Sequence, residues 1–342
     1  MSVRRARIEP SLGAQVAYRS ALFYARGADA ALDRPAHVRA GSALARLGPS
    51  TLAVVQDDAS FLAILEGVGG ELVVRDVALP AHDGVRQFDD GRGNKKSKLD
   101  LEACLAWDGV LVAFGSGSSP LRERVVIVQG PTDATPRIAI VEAPALYETM
   151  RNTPIFSGSE LNIEGAAIAG DDVLFLQRGN GASAGARQPV DASARVDRKA
   201  LLAYLLGLAC GERLACPPLR EAVQWDLGAA GGTRLTFTDA VTTAGRWTAF
   251  LACAEASPDA TRDGPVAGVS IGRLDDRRGE AELGVITDER GDPLLDKAEG
   301  ITLDDHDPGR AWLVVDRDDP HAPAELLELR LGDGYLRQET GA

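Results

Sequence analysis

The chain has 342 residues, with 37 Lys+Arg against 50 Asp+Glu, a net charge of −13 and 4 Cys. So acidic a chain lacks the electrostatic footprint of a general nucleic-acid binder. Four cysteines over this length exclude a disulfide scaffold, and 45% apolar residues exclude global disorder.

Arg4, Arg5 and Arg7 open the chain, but Tyr18-Arg19-Ser20 interrupts the apolar stretch behind them, so no secretory signal is read. Apolar runs of 5–9 residues then recur, ended by Gly, Pro or Asp clusters, which is the pattern of many short strands, with helical periodicity nearly absent. Ala40–Leu47 followed by Thr51–Asp58 is the first of a series of copies. The polar stretch Arg86–Lys98 leads to Leu99–Ala106 and Val110–Ser118, with further strand-like runs at Arg124–Gln129 and Arg137–Glu142. Leu161–Ile168 with Val173–Gly181 is the third copy, and the Gly-, Ala- and Ser-rich Gly179–Ala194 after it reads as a mobile loop. The 11-residue apolar run Ala200–Cys210 is too short to span a bilayer and reads as a strand. Thr236–Thr243 with Trp247–Glu255 is the fourth copy, continued by Val266–Leu274 and Glu280–Thr287. Lys297–Leu303 with Ala311–Asp318 is the last, followed by Leu326–Leu331. Cys210 continues the apolar pattern rather than closing a loop with Cys216, so the expectation is a soluble, cytoplasmic protein with reduced thiols.

The spacing inside the copies is regular. Glu102 to Ser116, Glu164 to Arg178 and Asp239 to Cys253 are each 14 residues, Ser42 to Asp57 is 15, and Glu299 to Asp316 is 17. Four antiparallel strands per copy, repeated at about 60–75 residues, predict an all-β, five-bladed β-propeller, with six blades as the alternative. One domain over 1–342 is expected, with blades near 36–80, 96–145, 158–228, 232–290 and 295–342, the last closed by an N-terminal strand. Ala6–Leu12 is the favoured closing strand. Tyr335–Glu339 is a second candidate, and Gln15–Arg26 would begin the sixth blade of the alternative.

In a propeller the innermost strands line an axial channel, and the start of strand one opens on the same face as the end of strand two. The repeat therefore gathers Glu102, Glu164, Asp239 and Glu299 at one mouth, beside Asp57, Ser116, Arg178 and Asp316. Converging carboxylates repel unless a hard cation with oxygen ligands or arginine pairing compensates them, and Arg178 and Arg317 are placed for the latter. Alternatively, the recurring acid accepts hydrogen bonds from the neighbouring blade's backbone. In the loop after Ser116, Gly115 and Gly117 free the backbone to approach an anion, with Arg122 and Arg124 at hand. Lys95, Lys96 and Lys98 precede Glu102 at the same mouth and would draw in an anionic ligand.

Lys98-Leu-Asp-Leu-Glu-Ala, Phe114-Gly-Ser-Gly-Ser-Ser, Asn162-Ile-Glu-Gly-Ala and Ala298-Glu-Gly-Ile resemble the bacterial propellers of unknown function grouped near the esterase-like phytase domain, over roughly residues 36–331. The resemblance implies a propeller with an acidic channel mouth and, in its phytase-like branch, calcium-assisted phosphate-ester hydrolysis. The expected site follows. Asp57, Glu102, Glu164, Asp239 and Glu299 hold Ca²⁺, and Glu164 and Arg178 take the catalytic roles. Lys98, Ser116, Ser118, Arg122, Arg124, Asn180 and Arg317 contact a small, anionic ester or phosphate ester. The alternative is a non-catalytic propeller scaffold that binds a protein or small-molecule partner. Neither nucleic acid nor membrane is expected as a partner.

Overall fold

Runs such as Leu52-Ala-Val-Val-Gln56 and Thr248–Glu255 are buried on both faces, as befits strands in sheets stacked face to face. The computed structural model describes residues 3–243, 247–257 and 264–336. Among these the protein is all-β, built from four-stranded antiparallel meanders. The first runs through Gly41–Gly48, Thr51–Gln56, Phe61–Glu66 and Val73–Ala78. Leu101–Trp107, Val110–Gly115, Arg124–Gln129 and Arg137–Glu142 form the second. Ile163–Ala169, Asp172–Gln177, Asp191–Asp197 and Arg220–Asp226 follow, with Arg4–Arg5 added in parallel at the outer edge. Thr236–Val241, Thr248–Glu255, Val266–Asp275 and Glu280–Thr287 come next. Lys297–Leu303, Arg310–Asp316 and Glu325–Leu331 complete the series and take their fourth strand from Ala14–Ala21.

The first strands of successive meanders pack side by side, and Lys297–Leu303 returns to pack on Gly41–Gly48. The core lies between neighbouring sheets rather than in one central mass. Phe114 meets Phe175 edge-on at 5.0 Å between the second and third meanders. Trp312, Val314 and Leu326 of the last meander pack with Leu44, Val54 and Leu65 of the first, which closes the circuit. Inner strands around an axis and cores between radial sheets are the propeller arrangement.

Several expectations are corrected. The closing strand is Ala14–Ala21, paired antiparallel with Glu325–Leu331, rather than Ala6–Leu12. Its register sets Val16, Ala14 and Leu329 into the last interface, whereas Arg7–Ile8 only adds a short parallel pairing to Glu280–Thr287 and Pro10–Leu12 is a 3₁₀ turn. Ala14–Ala21 also covers most of the segment considered for a sixth blade. Of the other closing candidate, Asp333–Leu336 is helical and 337–339 lie outside the described residues.

The apolar run from Ala200 is helix, not strand: Arg198–Ala209 is helical, started by Asp197, whose side chain accepts the Ala200 N–H at 2.9 Å. Leu201, Tyr204 and Leu205 fall on one face at helical spacing and are buried. Pro144–Arg151 is a second helix the strand-only reading missed. Gly179–Ala194 is a loop only in part, since Asp191–Ala194 enters a strand as fully buried residues. The cysteines are free thiols, and no helix among the described residues is long and apolar enough to cross a membrane.

Candidate functional site

Each inner strand carries one bulge near its start, where its pairing with strand two slips by a residue. The residues skipped are Ser42, Glu102, Glu164, Thr238 and Glu299. A bulge leaves its residue out of the ladder and re-aims the side chain. The position repeated in the fourth copy is therefore Thr238, and Asp239 is one residue too far along to join the ring. Glycine follows the acid twice because the next inner strand comes close. A Cβ on Gly165 would lie 2.9 Å from Ala240 N, and one on Gly300 would lie 2.7 Å from Leu44 N.

Asp239 is buried between inner strands instead. Its Oδ1 accepts from Ala240 N at 2.7 Å and its Oδ2 from Ile301 N at 2.8 Å, and Leu44 N also donates to it. It thus staples three inner strands, in the backbone-bonding role that was the alternative for the recurring acids. Asp239→Ala is expected to strand these buried N–H donors and cost about 3 kcal/mol or more, while Asp239→Asn, which keeps one acceptor, costs clearly less. Urea unfolding of the two variants measures the difference, and equal losses would show that packing, not the hydrogen bonds, matters there.

The mouth next to the bulges is a cavity of about 340 Å³. On one side Lys98 Nζ is bonded to Asp57, lies 3.1 Å from Asp58 Oδ1 and 3.0 Å from Asp100 Oδ1. Arg122 Nη1 reaches Asp100 Oδ2 at 2.8 Å, and the Ser116 hydroxyl donates to the same carboxylate. Burial works against the Asp100 charge, but Lys98, Arg122 and Ser116 outweigh it and hold its pKa below the ordinary value. Asp57 is pushed up to about 8 by burial, against the pull of Lys98. Glu102 is raised well above the usual range by burial and by the charges of Asp57, Glu164 and Asp100. Asp57, Asp100 and Glu102 each place an oxygen within 4.8 Å of the others. Asp100 also holds a left-handed backbone, φ 55°, which a non-glycine residue keeps only when its surroundings fix it.

On the other side Arg178 is 4% exposed and ties the wall together. Its Nη2 donates to Glu255 Oε2 at 2.6 Å, Nη1 to Glu164 Oε1 at 3.3 Å, and Nε to Thr236 Oγ1 at 3.2 Å. Glu299 Oε2 stands 4.0 Å from Nη1. Asn162 Nδ2 bridges Glu164 Oε1 at 2.7 Å and Asn180 Oδ1 at 3.2 Å. Lys297 Nζ lies 2.8 Å from Asp318 Oδ1 and 3.6 Å from Glu299 Oε1. Burial raises Glu164 to about 7 despite Arg178 and Lys297, and raises Asp316 to about 7 despite Lys297. Glu299 is raised well above its ordinary value by burial.

Of the residues expected at the mouth, Asp57, Lys98, Glu102, Arg122, Glu164, Arg178, Asn180 and Glu299 line this one cavity, as do Lys95, Lys96 and Asp316. Ser116 and Ser118 sit one shell behind it, the Ser118 hydroxyl accepting from Arg122 at 2.9 Å. Three expectations fail on placement. Asp239 is in the inter-strand staple. Arg124 points outward to Glu142 at 3.5 Å, because alternate residues of a strand face opposite ways. Arg317 lies off the cavity, held by Asp296 at 2.6 Å and by Glu325.

Asp58, Asp100, Asn162, Glu255, Lys297 and Asp318 were missed. Most were legible by the period of two. Asp100, Asn162 and Lys297 stand two residues before Glu102, Glu164 and Glu299. Likewise Asn180, Glu255 and Asp318 stand two after Arg178, Cys253 and Asp316.

The solved structures similar to this chain are distant. The β-propeller domain of Cps50 (Swd1) from Myceliophteria thermophila is 10% identical, with a TM-score of 0.33 over 82% of this chain, which spans 66% of that one. A mannose phosphorylase from Leishmania mexicana in complex with phosphate ion is 13% identical, with a TM-score of 0.41, covering 93% of this chain and 88% of that one. A gluconolactonase from Xanthomonas campestris is 12% identical, with a TM-score of 0.36, covering 95% and 99%. Likenesses this remote carry no activity across. Among curated proteins the chain has no match. A family profile does match residues 37–331, and the chain belongs to that family, DUF6929, a family of unknown function.

Proposed function

We propose that this is a soluble, cytoplasmic, single-domain five-bladed propeller whose axial mouth binds a small molecule and hydrolyses an ester in it, assisted by a divalent cation of the calcium class. The observation that carries the reading is the convergence of Asp57, Asp100 and Glu102 oxygens within 4.8 Å on the cavity wall. Hard oxygen donors of this kind suit Ca²⁺. The donor set fits a cation on a second count: Asp57 Oδ1 is buried with no hydrogen-bond partner among the described residues. Glu164, Glu299 and Asp239 leave the expected ligand set, the first two because they stand outside that cluster of oxygens and the third because it faces elsewhere.

When bound, the cation would polarise the ester and favour water as a nucleophile. The chain's own residues do the rest. Glu164, with a pKa near 7, exchanges a proton at working pH, and Arg178 fixes its carboxylate. Lys98 and Arg122 face the cavity as stabilisers of developing negative charge. The six Lys and Arg side chains of the wall stand among ten carboxyl groups, and Lys98, Arg122 and Arg178 are bonded to them, so a carboxylic ester fits better than the phosphate ester of the phytase-like resemblance. The scaffold alternative is favoured by one observation: Lys98, Arg122 and Arg178 are already held by wall carboxylates.

Calcium is expected to raise the melting temperature by several degrees over a chelator-treated sample, because a ligand bound only to the folded state stabilises it by mass action. No shift would remove the cation. Glu164→Gln is expected to reduce ester turnover at least ~100-fold, the lower range for loss of a general acid or base. Equal turnover in the two proteins would remove Glu164 from the mechanism, and ligand binding without turnover in the wild type would establish the scaffold reading.

A further inference from the structure

Small-molecule pockets are usually lined mostly by apolar and aromatic side chains, with a few polar groups that fix orientation. This cavity inverts that composition. Among the described residues its wall holds no aromatic ring and no apolar side chain larger than alanine. An alkyl or aryl group placed here would meet little apolar surface among the described residues beyond Ala40 and the stems of Lys and Arg side chains. Each carboxylate, ammonium and amide it covered would lose water and gain no new hydrogen-bond partner in exchange.

The polar groups are also mixed in kind around the whole wall. Acceptors with unused capacity belong to the wall: Asp57 and Glu299 line the cavity, and each keeps one buried carboxylate oxygen with no hydrogen-bond partner among the described residues. Donors stand beside them, with Arg122 and Asn162 amid the carboxylates. A ligand that satisfies both kinds at once must carry groups that donate and accept at short intervals. Hydroxyls on adjacent carbons do this. A purely cationic ligand satisfies only the acids, and an anion only the bases. At about 340 Å³ the cavity is near the lower end of the usual range, roughly 300–1,000 Å³, which suits a single ring or short chain.

We infer that the molecule bound at this mouth is a compact polyhydroxylated one of monosaccharide size, and that the ester hydrolysed is an acyl group on such a polyol. The inference rests on the site reading above but is separable from it. In the reaction the oxygen of water bonds to the acyl carbon. The bond from that carbon to the polyol oxygen breaks, the oxygen keeping the electron pair and taking a proton. The products are the free acid and the free polyol.

The test is calorimetric titration of the full chain with D-glucose, D-galactose, D-mannose, D-xylose and D-sorbitol, with p-nitrophenyl butyrate and cadaverine as apolar and cationic rivals. Turnover of 6-O-acetyl-D-glucose is followed separately. Saturable binding of at least one polyol is expected. It should weaken about tenfold, or ~1.4 kcal/mol, in Glu102→Gln and in Asp318→Asn, and stay unchanged in Arg317→Ala, which lies off the cavity. Binding of the butyrate or the diamine with no polyol bound overturns the inference, as does no binding of any polyol, or polyol binding indifferent to both cavity variants. A polyol that binds while its acetyl ester is not cleaved supports the ligand class and removes the hydrolysis.

Discussion

Arg178→Ala is expected to destabilise the protein by about 3–5 kcal/mol at neutral pH, the cost of breaking a buried ion pair and leaving its partners charged and unpaired. Arg178 is buried, and Glu164, Glu255 and Glu299 all press on its guanidinium. Removing it leaves three carboxyls with little water at the centre of the fold. Glu164 and Glu299, already raised by burial, would then hold protons more tightly still, so the loss should shrink as the pH falls towards 5. Urea unfolding at pH 8 and pH 5 measures both values. A triple variant, Arg178→Met with Glu164→Gln and Glu255→Gln, should recover most of the loss, because it removes the charges together. A loss below ~1 kcal/mol in the single variant would show the wall to be well solvated.

The second large effect is an inverted dependence of stability on pH. Glu164 and Asp316 titrate near 7 in the folded protein, against ordinary values of 4.5 and 3.8. Between those limits the folded state binds protons that the unfolded chain has released, so stability falls as pH rises from about 4 to 7, and Asp57, at about 8, with the raised Glu102 and Glu299, carries the fall beyond that. Going from pH 8 to pH 5 should therefore raise the melting temperature, measured in chelator to keep cations out. Each tenfold gain in proton affinity on folding is worth about 1.4 kcal/mol at 25 °C before opposing effects. Lowered carboxyls act with the other sign: Asp33, Asp100 and Asp304 stabilise while ionised and lose that contribution as pH falls through their depressed values. Stability should thus peak near pH 4–5. Glu164→Gln should flatten the slope between pH 5 and 7, and a melting temperature that rises steadily from pH 5 to 8 would contradict the assignment.

Much of the site was readable because a strand has a period of two and the repeat has a fixed length. Glu102, Glu164 and Glu299 recur at one bulge, and the residue before each bulge by two faces the same mouth. Asp239 shows where that regularity breaks. Its spacing to Cys253 matches the other copies, yet the ladder slips at Thr238, and one residue of slip carries a side chain to the opposite face. Arg124 and Arg317 failed for a related reason, since closeness in sequence to a mouth loop does not say which way a side chain points.

The sequence by itself determined the repeat, the antiparallel meander and the gathering of acids at one channel mouth, because these follow from strand alternation and turn spacing, which are local. It also determined the net charge of −13, whose excess acid is concentrated in part on that wall. Tertiary structure alone decided which N-terminal segment closes the last sheet, since Ala14–Ala21 and Ala6–Leu12 are both short and partly apolar, and only the available edge of Glu325–Leu331 selects between them. It alone decided that Ala200–Ala209 is helix, where an apolar run of that length suits either state until it has a surface to pack on. And it alone decided how the acids are compensated. Charge pairing depends on distances across strands from different copies, such as Arg178 to Glu255 and Lys98 to Asp57, which no spacing along the chain encodes.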